Sequence, residues 1–223
     1  SGIIYCLSRS KTEEVSDLLN KKGFNTDAYH AGLDSVIRKN IQNKFMTERG
    51  HVIVATIAFG MGIDKPDIRY VIHLNMPNSM ESYYQEIGRA GRDGNPADTI
   101  LMYGLDDLYV RRNMIEKDEA SDAFKLKENK RLDYLIAYCE TPECRRKTLL
   151  EYFDDTSGKC NNCDNCLTPQ KLLDGTEFAK KILSAVLETK QYFGQVHIVK
   201  VLRGSADAKI IDRGHNRLSV YGV

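Results

Sequence analysis

The sequence predicts an α/β domain with a parallel sheet, followed by an all-helical, cysteine-rich segment and a short helical tail. Three observations carry this. Apolar strand-like runs alternate with amphipathic helical stretches over residues 1–104, the pattern of a parallel sheet covered on both faces. Strand signals then cease over 106–153, and four of the six cysteines crowd between 144 and 166. A new helical pattern starts at Thr176.

The elements follow in order. Ile3–Leu7 is a short run of strand formers. Lys11–Lys22 is a helix with Val15, Leu18 and Leu19 on one face, and Gly23 stops it. Thr26–His30 is a weaker strand. Asp34 caps a helix in which Ile37, Ile41 and Phe45 recur at i, i+4, i+8. Val52–Ala55, Tyr70–Leu74 and Thr99–Tyr103 complete the strands. Residues 154–169 are polar and end at Pro169. The helix from Thr176 turns Phe178, Ile182, Ala185, Val186 and Leu187 one way. Val196–Leu202 forms a second helix, stopped by Gly204, and 208–220 holds a third. Short helices joined by tight turns suggest a helix-turn-helix.

The chain has 223 residues, 42% hydrophobic and 28% charged, ordinary for a globular protein. No stretch approaches the roughly 20 apolar residues of a membrane span, so no membrane role is expected. Without an initiator Met, the chain reads as a piece of a longer one. The net charge is +1. Only residues 174–223 carry a basic excess, 8 positive against 5 negative side chains, so composition alone does not point to nucleic acid. Clustered cysteines at metal-ligand spacing point to a reducing, intracellular setting rather than a disulfide framework.

Two motifs in the α/β part carry chemistry. In Tyr83–Gly94, Arg89 and Arg92 lie three apart on one side of a helical turn, separated by Gly-Ala-Gly. Small residues admit a polyanion close to the backbone, and two guanidiniums can grip a phosphate with forked hydrogen bonds. A solvated surface turn is the plainer reading of such a pair alone. In Val54–Asp64 a buried strand ends in Thr56, and a loop with Gly60 and Gly62 leads to Asp64. Ligands of open α/β sheets bind beyond the carboxyl ends of the strands, although a bland glycine-rich connection fits equally.

A third signal is Cys144, followed by Cys160-Asn-Asn-Cys163-Asp-Asn-Cys166. Four thiolates suffice for a closed tetrahedral zinc site, with no open position for catalysis. Iron–sulfur ligation is the alternative. Cys6 and Cys139 sit in apolar contexts and read as core. His30, His73 and His197 have no partner at metal-ligand spacing.

Taken together, Ile3–Arg9, Ala28–Leu33, Val52–His73 and Ser82–Gly94 resemble consecutive motifs of the second RecA-like domain of RecQ-family DNA helicases. Tyr29-His30-Ala31-Gly32 and Gln85–Gly94 are the most specific, and the resemblance continues through the cysteines to the C-terminus. It implies an α/β RecA-like parallel sheet domain over 1–104, an α-helical zinc-binding subdomain over 105–169, and a partial winged-helix (helix-turn-helix) segment over 170–223, its wing missing.

The activity the resemblance implies is ATP-dependent, 3′-to-5′ DNA unwinding in repair and recombination. Arg92 matches the arginine finger, Arg89 its partner on the phosphates, and Gln85 the residue coupling nucleotide to DNA. Gly62 and Asp64 match the nucleotide-sensing loop. Ser8, Arg9 and Thr56 match positions touching the DNA backbone. Cys144, Cys160, Cys163 and Cys166 match the zinc ligands, with Cys144 on a helix whose Arg145 and Arg146 could offset the net −2 of a zinc tetrathiolate. Lys190, Lys200, Arg203, Lys209, Arg213 and Arg217 could meet phosphates of duplex DNA.

The sequence contains no G-x-x-x-x-G-K-[ST] loop and no Asp-Glu-x-His box; its one Asp-Glu pair, Asp118-Glu119, reads as part of a charged helix. ATP and Mg²⁺ would thus be shared with a first RecA-like domain outside this sequence, and this part alone is expected not to hydrolyse ATP. A non-catalytic, zinc-containing DNA-binding or regulatory module is the alternative function. It gives no reason for Gln85, Arg89 and Arg92 to stand at helicase spacing.

Overall fold

The computed structural model describes residues 1–60 and 62–223; Met61, in the glycine-rich loop, lies outside them. Five strands form one parallel sheet: β1 (Gly2–Tyr5), β2 (Thr26–Tyr29), β3 (Val52–Ala55), β4 (Tyr70–His73) and β5 (Asp98–Leu101), in the order β2-β3-β1-β4-β5. Each expected strand is present, with ends shifted by one or two residues.

Period-two alternation divides the sheet residues between two cores. Ile3, Tyr5, Ile53, Ala55 and Val71 pack on one face with Phe45 and Phe59. Ile4, Cys6, Val52 and Val54 pack on the other, against Val15 and Leu19 of α1 (Arg9–Lys21). Cys6 is buried, as expected. The α1 stripe differs from the apolar count: Leu18 is 53% exposed, whereas Thr12 and Ser16 are buried. Their hydroxyls are satisfied, Thr12 donating to the Ser8 carbonyl at 2.8 Å and Ser16 meeting Thr26 at 3.0 Å. A hydroxyl with a backbone or cross-element partner can occupy the inner face at little cost.

In α2 (Ser35–Thr47) Asp34 caps as expected, accepting from the Val36 amide at 2.8 Å. Phe45 is buried and Ile41 half-buried, but Ile37 is exposed. Only the last two turns of that face reach the sheet.

Ser79 caps α3 (Met80–Ile87), and the chain passes through β5 into α4 (Leu105–Lys117), α5 (Asp122–Glu140), α6 (Arg145–Tyr152) and the single turn α7 (Asp164–Leu167). Asp118-Glu119 falls in the connection between α4 and α5 rather than in a helix. One apolar cluster joins Met76, Met80 and Tyr83 to Leu132, Leu135, Tyr138 and Leu149. Residues 1–169 accordingly form one compact unit and 170–223 a second.

The second unit holds α8 (Thr176–Glu188), α9 (Gln195–Leu202) and α10 (Ala208–Asp212), then a short 3-10 turn at His215–Arg217. The expected helix over 208–220 is thus broken at Gly214, whose φ is +70. Its core is Ala185, Ile198, Val201, Ile210 and Val220. Of the apolar face expected on α8, Ala185 is buried and Val186 half-buried, while Phe178, Ile182 and Leu187 are exposed. Periodicity identifies an apolar stripe, not how much of it this unit covers. His197, given no metal role by its spacing, meets His215: Nε2 and Nδ1 are 2.8 Å apart beside the Phe193 ring.

Two predictions follow from these cores. Leu135→Ala removes a fully buried side chain from the cluster shared by sheet and helices, and urea denaturation should show a loss of about 2–5 kcal/mol. Burial, then the neighbouring His215 and Arg213, lowers the pKa of His197 below the usual 6.5. The folded state therefore binds its proton less readily than the unfolded chain, and this stability contribution, present above pH 6.5, fades as pH falls through that value. Thermal unfolding between pH 7.5 and 5.5 should show the decline, and His197→Phe should flatten it.

Candidate nucleotide-facing turn and metal centre

The strands run parallel, so the segments after β1, β2, β3 and β4 emerge at one edge of the sheet. Ser8, Arg9 and Thr56 stand there. Ser8 is the N-cap of α1, its Oγ accepting from the Lys11 amide at 3.2 Å. Arg9 opens the helix and is exposed, its guanidinium lying against Gly32 of the Tyr-His-Ala-Gly motif. Thr56 follows β3, and its amide donates to the Tyr29 carbonyl at 3.1 Å.

The 56–64 segment and the arginine motif, 25 or more residues apart in sequence, meet in space. Arg89 and Arg92 stand in a turn just beyond a helix. The helix α3 ends at Ile87 with Gly88 as its cap, and both arginines occupy the succeeding turns. Arg89 Nη1 donates to the Gly60 carbonyl at 2.5 Å. A Cβ on Gly60 would stand 2.8 Å from Arg89 Nη2, so a larger residue there would push the guanidinium from its present seat. Arg92 Nη1 lies 2.6 Å from Asp64 Oδ1 and 3.4 Å from the Ile63 carbonyl.

The turn itself is locked from below. Gly91 has φ +64, and its amide donates to the Ile68 carbonyl at 2.9 Å. Arg69 donates to Asp93 at 2.6 Å and to the carbonyls of Pro66 and Pro96. The Arg69 hydrogen bond, with a second from Asn95, holds the Asp93 carboxyl at about 2. Exposure rises outward from this base. The Asp64 side chain is 84% exposed and that of Arg92 is 39% exposed, so their ion pair is worth roughly 0–1 kcal/mol and is readily exchanged for another anion. Gln85 and Gly62 are exposed as well.

Motif reading passed over a buried layer beneath these arginines: Tyr5 donates its hydroxyl to the Phe59 carbonyl at 3.0 Å, and His73 meets Glu86 at 2.6 Å. Burial pushes the Tyr5 phenol up. Glu86 stands next to Gln85, but only the folded chain puts it against His73.

The four cysteines converge as expected. All four sulfurs lie within 4.8 Å of one another, with Cys144–Cys163 and Cys160–Cys166 each at 4.0 Å. A tetrahedral site with zinc–sulfur bonds of about 2.3 Å requires sulfurs roughly 3.8 Å apart. Cys144 does not sit within a helix but caps α6, and Cys163 caps α7. Backbone amides point at the sulfurs: Cys160 at Cys144 (3.3 Å), Arg145 at Cys163 (3.3 Å) and Cys163 at Cys160 (3.3 Å). Burial opposes ionisation of Cys144, but the Lys147 and Cys160 amides and the neighbouring thiols bring it to about 6. Asn161 adopts φ +52, the tight turn its place between ligands suggested. This donor set fits a structural zinc.

Arg145 is spoken for differently than expected. Its guanidinium binds Asp164 at 3.1 Å and the carbonyls of Tyr138 and Cys139 at 2.6 and 3.0 Å. It clamps the cysteine loop onto α5 instead of facing the thiolates. Buried Asn165, which spacing could not single out, reinforces the clamp by donating to the Thr141 and Glu143 carbonyls at 2.8 and 2.7 Å. In the second unit, Lys200 is paired with Asp207 at 2.6 Å and Arg213 lies over Phe193 at 4.9 Å.

Elemental analysis of the purified chain should return about one zinc per molecule. Cys163→Ser should lower both metal content and folded yield, since structural zinc couples on the order of 10 kcal/mol to folding. Metal retained by a Cys144, Cys160, Cys163 triple variant would contradict the assignment.

Comparison with known proteins covers the chain in three consecutive pieces. Residues 1–94 match the helicase conserved C-terminal domain, 105–167 the RecQ zinc-binding domain and 169–223 the RQC domain. The ATP-dependent DNA helicase RecQ of Haemophilus influenzae is 44% identical over 225 residues, covering 100% of this chain and 36% of that protein. The Bacillus subtilis protein of the same name is 37% identical, covering 100% and 38%. The ATP-dependent DNA helicase hus2/rqh1 of Schizosaccharomyces pombe is 40% identical, covering 100% and 17%. The chain thus spans little more than a third of its bacterial relatives' length. Among the described residues, no helix is long and apolar enough to cross a membrane. The ordered matches, the parallel sheet and the four-cysteine centre place this chain in the RecQ helicase family, as its C-terminal helicase, zinc-binding and RQC region.

Proposed function

We propose that this chain is the second motor lobe and accessory region of an ATP-dependent DNA helicase that moves 3′ to 5′ and serves DNA repair and recombination inside the cell. Its parts are the motor lobe at 1–104, the zinc-binding subdomain at 105–169 and the partial winged helix at 170–223. ATP and Mg²⁺ would lie between this lobe and a first RecA-like lobe of the same protein. When bound, ATP supplies the phosphoryl group that is transferred to water.

The observation that carries this reading is the Arg89–Arg92 turn seated on the 56–64 loop. Its base is locked by Arg69 and Gly91, while its outer contact, Arg92 to Asp64, is exposed and weak. A phosphate arriving at the cleft would compete with Asp64 for the guanidinium. Arg92 then serves as the finger that stabilises charge developing on the phosphoryl group, and Arg89 holds the neighbouring oxygens. Release of Asp64 and Gly62 reports nucleotide state to the loop that begins at Thr56. Thr56, Ser8 and Arg9, at the strand ends, bind the single-stranded DNA backbone, and Gln85 links that path to the nucleotide. The zinc holds the cysteine loop to the helices and takes no part in the chemistry. The helix-turn-helix unit meets duplex DNA at junctions through its basic side chains.

In the full-length enzyme, Arg92→Ala should lower kcat for DNA-stimulated ATP hydrolysis by about 10³–10⁵, with nucleotide and DNA affinity largely kept. Arg92→Lys should rescue poorly, because an ammonium cannot reproduce the forked contact. Steady-state ATPase on saturating single-stranded DNA, with separate nucleotide-binding measurements, tests this. Retention of most of kcat would make Arg92 a surface residue and overturn the reading.

A further inference from the structure

Glu86 lies on the last turn of α3, one residue after Gln85 and three before Arg89. It is buried, and its Oε2 stands 2.6 Å from His73 Nε2. His73 ends β4, with its side chain 1% exposed. Its ring stacks on Tyr5 at 5.0 Å and meets the edge of Tyr83 at 5.3 Å. Tyr5 donates to the Phe59 carbonyl at 3.0 Å, and the next carbonyl, Gly60, accepts from Arg89 at 2.5 Å. The contacts close a ring: Arg89 to the 59–60 backbone, then to Tyr5, His73 and Glu86, and back through three residues of chain to Arg89.

Burying a carboxylate in a core is costly unless it is paired, and apolar packing already fastens this helix. Met80 and Tyr83 bury one face of α3 in the cluster shared with α5 and α6. Such contacts hold a helix to a sheet but tolerate small rotations and slides. A short charge-assisted hydrogen bond between fixed groups does not. Arg111 of α4 is half-buried, held to the Met76 carbonyl and Asn78, and adds positive charge in the neighbourhood of Glu86. The carboxylate is thus gripped from the sheet side, beneath the turn that presents both guanidiniums.

We infer that Glu86 is a positioning residue: through His73 it fixes the Arg89–Arg92 turn against the 56–64 loop and so sets the reach of both guanidiniums. This rests on the proposal that the two arginines face nucleotide phosphates. Misplacing a reacting group by about 1 Å costs on the order of 10²-fold in rate, so the effect belongs in kcat.

The test uses the full-length enzyme, with ATP titrated at saturating single-stranded DNA and thermal midpoints measured in parallel. Glu86→Ala should lower kcat by about 10- to 100-fold with little change in KM. Glu86→Gln, whose amide oxygen can still accept from His73, should recover most of it. The double variant Glu86→Ala/Arg92→Ala should be slower than Arg92→Ala by clearly less than the factor that Glu86→Ala costs alone, because part of its effect runs through Arg92. Leu149→Ala, a core truncation elsewhere in the same cluster, should lower the midpoint and leave kcat at permissive temperature unchanged. If Glu86→Ala does not fold, His73→Asn takes its place with the same expected fall. Arg92→Ala retaining kcat would sink the phosphate reading itself. Arg92→Ala inactive while Glu86→Ala or His73→Asn keeps kcat, or multiplies with Arg92→Ala, would overturn the positioning role alone.

Discussion

The parallel sheet and the two cores on its faces are built around β1. This strand lies at the centre of the sheet, paired with β3 on one side and β4 on the other, and all four of its residues are buried. Ile3 and Tyr5 enter one core, Ile4 the other. A one-residue slip would exchange the two sets and lose both cores. With the register fixed, the strand ends are fixed. Tyr5 and His73 are paired in register at the carboxyl edge, where the phenol reaches the Phe59 carbonyl and the imidazole reaches Glu86.

Above that edge the structure grades from rigid to exchangeable. The lowest layer is buried and paired through Tyr5, His73 and Glu86. The middle layer is backbone, with Gly60 and Gly91 permitting approaches that a side chain would block. The top layer is the exposed pair of Arg92 and Asp64. The proposed exchange of Asp64 for a phosphate needs a weak initial contact on a stiff support, and the gradient has both.

The zinc-binding segment follows a different logic. Its ligand loop has almost no apolar content, so its order comes from the four sulfurs, from amides aimed at them, and from Arg145 and Asn165 tying it to α5 and the turn before α6. The helices beneath share an apolar cluster with α3. The elements presenting the arginines and the elements presenting the cysteines therefore stand on common ground.

Much of this was written locally and could be read locally. Alternating apolar runs set the strands because the two-residue period of a pleated chain leaves its mark in sequence. Asp34 as a cap, and four cysteines at ligand spacing, are likewise short-range patterns with short-range causes. The glycine-flanked arginines could be recognised from their motif, but not their support. His73 and Glu86 are thirteen residues apart, and Arg89 and Gly60 twenty-nine, so no periodicity couples them. Burial of Ser16 while Leu18 stays exposed depended on a hydroxyl partner, Thr26, that only the assembled sheet provides. Exposure of Phe178, Ile182 and Leu187 depended on how few elements surround α8 in its unit. Sequence determined which segments would be strands, helices and ligand loops, because backbone sterics and side-chain periodicity act within a few residues. Tertiary structure alone decided which charges would be buried together and which left free, because desolvation and pairing depend on neighbours that folding brings from far along the chain.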